Sequence, residues 1–490
     1  MEEEQRRLIP HLRVLSDYQL ERIHNATVEV LERTGIIVKH PEAIQLLKDA
    51  GAWVDGERVR IPRALIEWAI DAAPSSLTIY NQKGEPAIRL AGRVPHYGSG
   101  PTTPYTLDLN TGEKRKVVEE DIKNTAKVVD YLNNIDYTMS MGLISDCPEG
   151  TEDLHEFRQL IFNTNKPICA WGYDRENYET IKNMGIAIKG SLAKLQQEPF
   201  YVLYSEPTTP LMHSEEALEK LLFMAENRLP MVHTSGATAG GVAPVSLAGI
   251  MVVSSAEVLS GLLIAQLKNK GTPCLFGYAT HIMDMKTTIC SYGCPEHALG
   301  QAATVDQADY YNLPSWGYAG CSDSKIMDGQ VAVESTMHDL MTALSGANFA
   351  HDVGFIESGM TSSLPSIVLN NEIIEMVKRI KQGIDTSDEA LAVEAINDIG
   401  PQGNYLTHQH TMDRFRDVFY PELIDRQNYD KWKDAGAKSL EERVLEKTRE
   451  IVKTHKPEEL PDEVKEDINN LVENAVQKIV EKNKNKRRRR

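Results

Sequence analysis

From about residue 130 onward, short apolar stretches alternate with longer segments in which apolar residues recur every three or four positions. A short apolar run bounded by Gly, Pro or Ser predicts a buried strand, and the longer periodicity predicts a helix. The predicted strands read IDYTMSMGLI, PICAWGY, PFYVLYSEPTTP, PMVHTSGAT, PCLFGYATH, SWGYAG, NFAHDVGFIESG and GNYLTHQHT. The predicted helices between them include TEDLHEFRQLIFNTN, SEEALEKLLFMAENR, SLAGIMVVSSAEVLSGLLIAQLKNKG and GQVAVESTMHDLMTALSG.

Eight strands that alternate with helices predict an α/β fold, and most simply a (β/α)8 TIM barrel. A doubly wound sheet shows the same alternation, but there the phosphate-binding turn G-x-G-x-x-G commonly follows a strand. None of the predicted strands is followed by that turn. In a barrel the functional side chains lie where the strands end.

The first 130 residues have a different pattern. LSDYQLERIHNATVEVLERTG predicts a helix with Ser16 or Asp17 as its cap and Gly35 as its stop, and two shorter helical stretches and two hairpin-like stretches follow. We therefore predict an N-terminal helical and β-hairpin extension over residues 1–130, a barrel catalytic domain over 131–455 and a charged helical tail over 456–490.

The net charge of −18 changes the picture of possible partners. Residues 481–490 hold three Lys, four Arg and one Glu, or +6, so the remainder carries −24. Phosphate repulsion would oppose nucleic-acid binding by such a body. The charged start MEEEQRRLIPHL has no signal-peptide pattern, and we see no run of about 20 uncharged apolar residues. A cytoplasmic protein is expected.

The predicted strand ends read MGLIS, AWGYD, YSEPTTP, TSGATAGG, GYATHIMDM, GYAGCSDSK and HDVGFIESG. They are rich in Gly, Ser, Thr and aromatic residues and contain few formal charges. Aromatic faces attract a fixed positive charge, so this composition is compatible with a site for a quaternary ammonium, and equally with ordinary packing.

Other chemistries find less support. Cys290, Cys294 and His297 are close together, but no second Cys/His pair has a zinc spacing, and we expect no metal site and no disulfide framework. A Schiff-base lysine would lie in a strand, whereas Lys325 follows one. Paired carboxylates for glycoside hydrolysis would have to come from Glu206, Asp284, Asp323 and Glu357, with no specific pattern to support them.

Several long motifs stand in order along the chain. They are GVAPVSLAGIMVVSSAEVLSGLLIAQL, GCSDSKIMDGQVAVESTMHDLMTALSGAN and HDVGFIESGM, with ERTGIIVKHPEAIQLLKDAGAWVDGERVRIP near the start. Together they resemble the trimethylamine methyltransferase family. The resemblance covers residues from about 10 to 455. It implies a (β/α)8 barrel that moves a methyl group from a methylated amine to the Co(I) of a corrinoid protein. The cobalt would belong to that partner, so no tightly bound cofactor is expected.

The trimethylamine enzymes carry pyrrolysine in the segment that GFIESGM resembles, and this chain has an ordinary residue, Ser358, there. The sequence therefore resembles the branch without pyrrolysine, whose members demethylate quaternary amines. Glycine betaine is the first expected substrate, with proline betaine, carnitine and γ-butyrobetaine as alternatives. A quaternary ammonium leaves as a neutral amine, so the protein needs to bind the cation, aim one methyl group and exclude water.

On this hypothesis NFAHDVGFIESG is the seventh strand and one wall of the pocket. His351 would bind the substrate carboxylate, Asp352 would orient His351 and favour its charged form, and Phe355 would face the ammonium. Ser358 and Gly359 would leave the volume that pyrrolysine fills. Residues expected elsewhere in the site are Tyr97 and Glu206 for the substrate, and Gly320, Ser322 and Asp323 for the corrinoid protein.

Two alternatives remain from the sequence. One is a barrel enzyme of other chemistry, such as a lyase or aldolase. The other is a binding protein for methylated amines without catalysis. An association of identical chains is possible, and no nucleic-acid or membrane partner is expected.

Overall fold

The structure is a computed structural model that describes residues 8–489, the side chains of 486–489 excepted. The Arg run at 487–490 therefore lies outside the described side chains. Eight parallel segments, β1 to β8, form the centre of the fold. They are Tyr97–Ser99, residues 137–138, Ile168–Ala170, Tyr201–Ser205, Met231–His233, Cys274–Leu275, Trp316–Tyr318 and Phe349–Val353.

Each of these segments pairs in parallel with the next, and β8 pairs with β1, so that the eight close into a ring, here called the strand ring. The β8–β1 closure joins Ala350 to Tyr97, and single bridges Gly98↔Tyr137, Thr138↔Ile168 and Phe276↔Ser315 complete the ring. The remaining pairs are regular parallel ladders. This is the closure that a (β/α)8 barrel requires.

One long helix follows each segment of the strand ring. In chain order α1 to α8 are Glu119–Tyr131, Glu152–Asn163, Arg175–Lys189, Glu215–Glu226, Leu247–Lys268, Pro295–Tyr310, Gly329–Ser345 and Leu364–Lys381, with a short helix Leu192–Gln197 after α3. Two predictions were wrong here. The stretch 403–411 is turn and the start of a short helix, and NFAHDVGFIESG provides the eighth strand, not the seventh. The first ring strand is Tyr97–Ser99, so the predicted boundary at residue 130 cuts through the ring.

The core inside the strand ring is apolar and aromatic. It contains Tyr137, Met139, Cys169, Val202, Val232, Leu275, Trp316, Tyr318 and Phe349, joined by Ile79, Ile88 and Leu90 of a β-hairpin, Leu77–Tyr80 and Pro86–Leu90. The hairpin lies at the amino ends of the strands, because Tyr80 N donates to Pro199 O at 2.8 Å, just before β4. That end is therefore closed, and the carboxyl end remains for a site.

The N-terminal helices pack on the outside of the ring. They are Asp17–Arg33, Pro41–Asp49 and Arg63–Ala72. Ser16 caps the first through a capping box with Gln19, and Gly35 follows its end with φ of 72°, as the sequence predicts. Among the described residues one helix, α5, is long and apolar enough by composition to cross a membrane, with a mean hydropathy of 2.0. Of that window, 72% is buried inside the protein, under Asp17–Arg33 and Arg63–Ala72.

Three small sheets and a helical C-terminal region complete the chain. The sheets comprise Ile36–Val38, Trp53–Asp55, Arg58–Arg60 and Met212–His213; Tyr105–Leu107, Lys114–Lys116, Phe355–Ile356 and Thr361–Ser362; and Thr238–Ala239, His281–Met283 and Cys290–Ser291. The later helices are Asp388–Leu391, Val393–Ile399, Gln409–Arg414, a 3₁₀ turn Phe415–Asp417, Tyr429–Asp434, Leu440–Thr454 and Asp462–Arg489. The last of these packs against α2 and α3 and buries Ile468 and Val472.

Candidate active site

The carboxyl end of the strand ring is built on a continuous group of aromatic and imidazole rings. The His351 ring lies 4.2 Å, centroid to centroid, from both Trp316 and Tyr318. Tyr204 lies 5.7 Å from Trp316 on the other side. Trp316 and Tyr318 lie two residues apart on β7, so their side chains face the same side of the strand. His351 comes from the neighbouring β8. These rings form the floor of the mouth.

His351 is neutral, and its one ring proton is bound within the protein. Its Nδ1 lies 2.8 Å from Gly317 O, and a carbonyl only accepts, so Nδ1 carries the proton. Its Nε2 lies 3.3 Å from Asp352 Oδ1. Burial lowers the pKa of His351 to about 3. The expectation that Asp352 favours a charged His351 is therefore wrong, and the unprotonated Nε2 has no proton to donate to a substrate carboxylate.

Two carboxyl groups face the mouth. Asp352 is 2% exposed, and its Oδ1 makes no hydrogen bond despite its contact with His351. Desolvation, with a smaller contribution from Glu206, raises the pKa of Asp352 well above its usual value. Glu206 is exposed to water and accepts from Tyr204 Oη, and desolvation by the surrounding protein raises its pKa as well. The mouth therefore holds one poorly solvated carboxyl group, Asp352, and one that water reaches, Glu206.

Three tyrosines surround these carboxyl groups. Tyr204, Tyr292 and Tyr318 all lie within electrostatic range of Glu206 and Asp352. Tyr204 and Tyr292 are only half-buried, so part of each ring remains accessible. Tyr292 also stacks on His281 with ring centroids 4.0 Å apart. Aromatic faces with nearby carboxylates are a recognised arrangement for an organic cation.

The raised pKa values predict a pH-dependent cation site. A cation binds the carboxylate forms of Glu206 and Asp352, and these are lost as the pH falls through their raised pKa values. We expect the affinity for tetramethylammonium, which does not titrate, to increase as the pH rises through these raised pKa values, with proton release on binding. Calorimetry in buffers of different ionisation enthalpy measures both. A constant affinity and no released proton would contradict the assignment.

The sequence predicts Phe355 and Tyr97 in the substrate site, but in the structure neither residue faces the mouth. The Phe355 ring, 4% exposed, covers Gly100, where a Cβ would lie 2.3 Å from its Cε1. Phe355 thus packs against the end of β1. Tyr97 lies on β1 but is fully buried on the outer side of the ring, where its hydroxyl donates to Asp339 O on α7 at 3.4 Å. The structure therefore places Tyr97 between strand and helices, away from any substrate wall.

Ser358 and Gly359 lie at the rim beside Tyr292. Ser358 Oγ donates to Asp323 Oδ1 at 2.9 Å, and the same carboxylate accepts from Tyr292 N at 2.7 Å. A Cβ on Gly359 would meet the Tyr292 ring at 2.9 Å. Asp323 therefore holds the loop after β8 against the loop that carries Tyr292, and that pairing positions the accessible tyrosine.

Gly320 and Ser322 are internal to the loop after β7. Gly320 is buried with φ of 55°, and an added Cβ would lie 2.6 Å from Asn370 Oδ1. Ser322 Oγ donates to Glu334 Oε2 at 2.6 Å and is fully buried. These residues shape the loop and offer a partner little surface, in contrast to the sequence-based expectation for Gly320, Ser322 and Asp323.

The residues considered for glycoside hydrolysis or for a Schiff base do not come together as a catalytic site in the structure. Glu357 pairs with Lys114 at 2.5 Å, Asp284 is exposed on a loop, and Lys325 donates to Asp323 O from the surface. No described strand of the ring contains a lysine. Among the described residues, the ring strands therefore offer no Schiff-base lysine, and Glu357 and Asp284 are paired or exposed rather than opposed to each other as an acid and a base.

A cavity of about 350 Å³ lies outside the ring, between the hairpin 105–116 and helices α1 and Leu440–Thr454. Its charged groups are already engaged: Arg115 with Asp108 and Asp121, and Arg449 with backbone carbonyls. None of the ring-floor aromatics lines it. We place the candidate site at the mouth, where aromatic faces and carboxyl groups converge.

The sequence analysis did not predict that Tyr292 belongs to the site, and it gave Asp352 only a role in orienting His351, not the role of a carboxylate facing the mouth. Tyr292 stands in the loop segment CSYGC, which attracts attention for its cysteines, and nothing local indicates that its ring reaches the mouth. Trp316, Tyr318 and Tyr204 were recognisable as aromatic residues near strand ends.

A family model and several known proteins match most of the length of this chain. The family model described as "Trimethylamine methyltransferase (MTTB)" matches residues 2–479. The chain is 33% identical over 450 residues to the trimethylamine methyltransferase MttB of Desulfitobacterium hafniense, covering 91% of this chain and 90% of that protein. It is 34% identical to trimethylamine methyltransferase MttB of Methanosarcina thermophila (91% and 93% covered) and 30% identical to a glycine betaine methyltransferase of Desulfitobacterium hafniense (87% and 89% covered).

Among solved structures, the monomethylamine methyltransferase MtmB of Methanosarcina barkeri is similar in fold. The TM-score is 0.53 over 90% of this chain and 88% of that one, at 11% sequence identity. At that identity the similarity concerns the fold alone.

Proposed function

Because the chain belongs to the trimethylamine methyltransferase family and is a methyltransferase, we propose that it moves a methyl group from a quaternary amine to the Co(I) of a corrinoid protein. Glycine betaine is the first candidate donor. The observation that carries the proposal is the mouth of the strand ring, where Tyr204, Tyr292 and Tyr318 surround Glu206 and Asp352. The ring with its eight helices serves as a (β/α)8 barrel, with the site at its carboxyl end.

The reaction requires the protein mainly to bind the donor and to orient one methyl group toward the cobalt. The nucleophile is Co(I); the carbon–nitrogen bond breaks as the methyl–cobalt bond forms, and the electron pair stays on nitrogen, so a neutral tertiary amine leaves. No proton transfer is needed. The tyrosine faces and the two carboxylates stabilise the cation, and the floor of Trp316, Tyr318 and His351 excludes water from one side.

The serine at position 358 supports a quaternary donor over trimethylamine. The resemblance aligns it with the position at which trimethylamine enzymes carry pyrrolysine. Ser358 Oγ is engaged with Asp323 and offers no electrophile. A quaternary amine needs none, since it is already activated as a leaving group.

A betaine adds a carboxylate that must avoid Glu206 and Asp352. Neutral His351 has no free N–H to donate to it, because its ring proton is bound to Gly317 O. Lys220 of α4 supplies a positive charge within electrostatic range of Glu206 and donates to Gly172 O at 3.2 Å. We place the betaine carboxylate on the Lys220 side of the mouth. Lys220→Gln would then lower the preference for glycine betaine over choline, which has the same headgroup without the carboxylate.

The direct test mixes the protein with Co(I) cobalamin and follows methylcobalamin by its visible spectrum. The donors are glycine betaine, proline betaine, carnitine, γ-butyrobetaine, choline and trimethylamine. The proposal expects methylation with one or more quaternary amines and none with trimethylamine. Methylation by trimethylamine alone would overturn it. The same panel in calorimetry separates binding from transfer.

Exposed apolar side chains around the mouth suit a docking partner. They follow four successive ring strands and are Val245 (64% exposed), Met285 (69%), Ile289 (56%), Ile326 (59%) and Met360 (47%). Met285 Sδ and Val245 Cγ2 both lie beside Gly240, 3.4 and 3.7 Å from where a Cβ would stand. Exposed apolar side chains grouped at one end of a fold mark interaction sites, and we assign these to the corrinoid protein.

We expect Met285→Asp to lower methyl transfer to the corrinoid protein about tenfold, because a charge in the docking surface must be desolvated on binding. Transfer to free cobalamin should stay unchanged. Val333→Asp, at a 71% exposed position on the outer helix α7, is the matched control. Equal loss with free cobalamin would place Met285 in the reaction itself and contradict the docking role.

A further inference from the structure

Three potential metal ligands meet behind the mouth, from three separate elements. His297 lies on α6, Cys321 follows β7, and His338 lies on α7. One ligand atom from each lies within 4.8 Å of those of the other two. The three residues are 0%, 0% and 1% exposed, so no solvent reaches them.

Imidazole nitrogens at this cluster make no regular hydrogen bond among the described residues. These buried atoms are His338 Nδ1 and Nε2 and His297 Nε2. The two nitrogens of one ring diverge, so each histidine offers one nitrogen to the cluster, and the Tyr292 backbone is the polar group nearest to His338. A buried unpaired polar atom costs about 1–3 kcal/mol, and here such atoms belong to two imidazole rings whose centroids lie 5.3 Å apart. A ligand bound between the two rings would satisfy one nitrogen of each.

The tautomer of His297 is set for metal binding. Its Nδ1 lies 3.2 Å from Thr280 Oγ1, and that hydroxyl donates to His297 O, so its oxygen accepts the Nδ1 proton. Nε2 is then the unprotonated nitrogen, with its lone pair directed away from Thr280. Histidine ligands are commonly oriented by such a hydrogen bond on the other ring nitrogen.

We propose that His297, Cys321 and His338 bind a Zn²⁺ ion. One thiolate and two imidazoles are a donor set that zinc prefers, with bonds of about 2.0–2.3 Å. Such bonds place ligand atoms about 3.5 Å apart, which small side-chain rotations reach from the observed spread. The Tyr292 carbonyl oxygen, 3.6 Å from Cys321 Sγ, is in place for the fourth position.

The surrounding charge favours a cation. Zinc with one thiolate and two neutral imidazoles carries a net charge of about +1. The carboxyl groups of Asp352, Asp323 and Asp339 all lie within electrostatic range of Cys321. Burial raises the pKa of Asp339 and of Asp352 well above the usual range. A positive ion would favour the ionised forms of these carboxyl groups and would itself be stabilised by them.

The site is structural, because its ligands are closed to solvent and substrate. It would join α6, α7 and the end of β7 directly behind the rings that form the mouth: His297 lies 5.2 Å from Tyr318 and 4.6 Å from His281, ring centroid to ring centroid. The ion would thus hold the floor of the mouth in place. Cys290 and Cys294, which precede His297 in sequence, take no part; their thiols contact Thr238 and Ser291 O.

The test is the metal content of the full chain, purified without a histidine tag from zinc-supplemented cells and passed over a desalting column in metal-free buffer. Mass spectrometry of the metals should find about one zinc per chain. Cys321→Ser and His338→Gln should each lose most of it, and Cys290→Ser should retain it. No substrate or corrinoid is involved, so the result is independent of the methyl transfer proposed above.

Cobalt exchange provides a second reading that does not depend on how the variants fold. Co²⁺ added to chelator-treated Cys290→Ser protein should give the intense near-ultraviolet thiolate band and the visible bands of a tetrahedral site, and should restore the unfolding temperature that chelation lowers. A metal-free protein that takes up neither Zn²⁺ nor Co²⁺ would overturn the proposal and leave water as the partner of the three nitrogens. Equal metal in Cys321→Ser and the unaltered protein would overturn it too.

Discussion

At a pH above the raised pKa of Asp352, Asp352→Asn is expected to raise the KM for the quaternary amine about 30-fold while kcat changes less than about threefold. A carboxylate about 8 Å from the ammonium in a partly desolvated mouth contributes about 2 kcal/mol at an effective dielectric constant of about 20. The ammonium charge disappears as the neutral amine leaves, so this attraction is strongest in the ground state. Removing it therefore weakens binding without slowing the chemical step.

Asparagine is the right replacement at this position. Asp352 has φ of 77°, a left-handed conformation that Asn tolerates better than other side chains. Asp352→Ala would add backbone strain to the loss of charge. Asp284→Asn, at an exposed acidic residue on the loop after β6, is the control and should leave KM unchanged. A large fall in kcat for Asp352→Asn would show that the carboxyl group acts in the reaction and would contradict a purely electrostatic role.

Gly277→Ala is expected to lower the free energy of unfolding by about 3 kcal/mol. A Cβ on Gly277 would lie 2.2 Å from Trp316 O and 2.8 Å from Trp316 C. These are backbone atoms, and Trp316 N already donates to Phe276 O at 2.9 Å across the same strand pair. The clash can be relieved only by separating β6 from β7, which disrupts the ring, and overpacking of this kind is costly.

The measurement is the unfolding temperature of the full chain at a fixed scan rate, and a loss of this size corresponds to a fall of about 3 °C for a protein of this length. Gly329→Ala is the matched control, because nothing lies within 4 Å of its added Cβ and it begins helix α7. It should not lower the unfolding temperature. If Gly277→Ala melts like the unaltered protein, the β6–β7 contact is less rigid than the structure indicates.

The alternation of strands and helices and the caps of the first helix were predictable from sequence, whereas β1 was not. Tyr97–Ser99 is three residues long and stands in the Gly- and Pro-rich run PHYGSGPTTP, which locally resembles a loop. It becomes a strand because Tyr97 pairs with Ala350, more than 250 positions later, and Gly98 pairs with Tyr137. Residues 403–411 show the opposite case: a strand-like pattern without a partner strand stays a turn.

The candidate site shows the same division. The aromatic character of the strand ends was readable from the sequence, and so was the family resemblance, because both depend on which residues occur and in what order. The protonation of His351 was not, since it depends on the desolvation imposed by Trp316 and Tyr318 and on the carbonyl of Gly317. Residue type gives a histidine only its ordinary pKa, whereas the shift depends on burial, hydrogen bonds and nearby charges that the folded chain supplies.

By itself, the sequence determined the alternating elements, the helix limits and the membership of a methyltransferase family, because periodicity, capping and motif order are properties of neighbouring residues. Only the tertiary structure decided which strand closes the ring, where Tyr97 and Phe355 point, that Tyr292 reaches the mouth, and that His297, Cys321 and His338 meet. These are contacts between residues far apart in the chain, and their energies arise from desolvation and close approach, which no local pattern records.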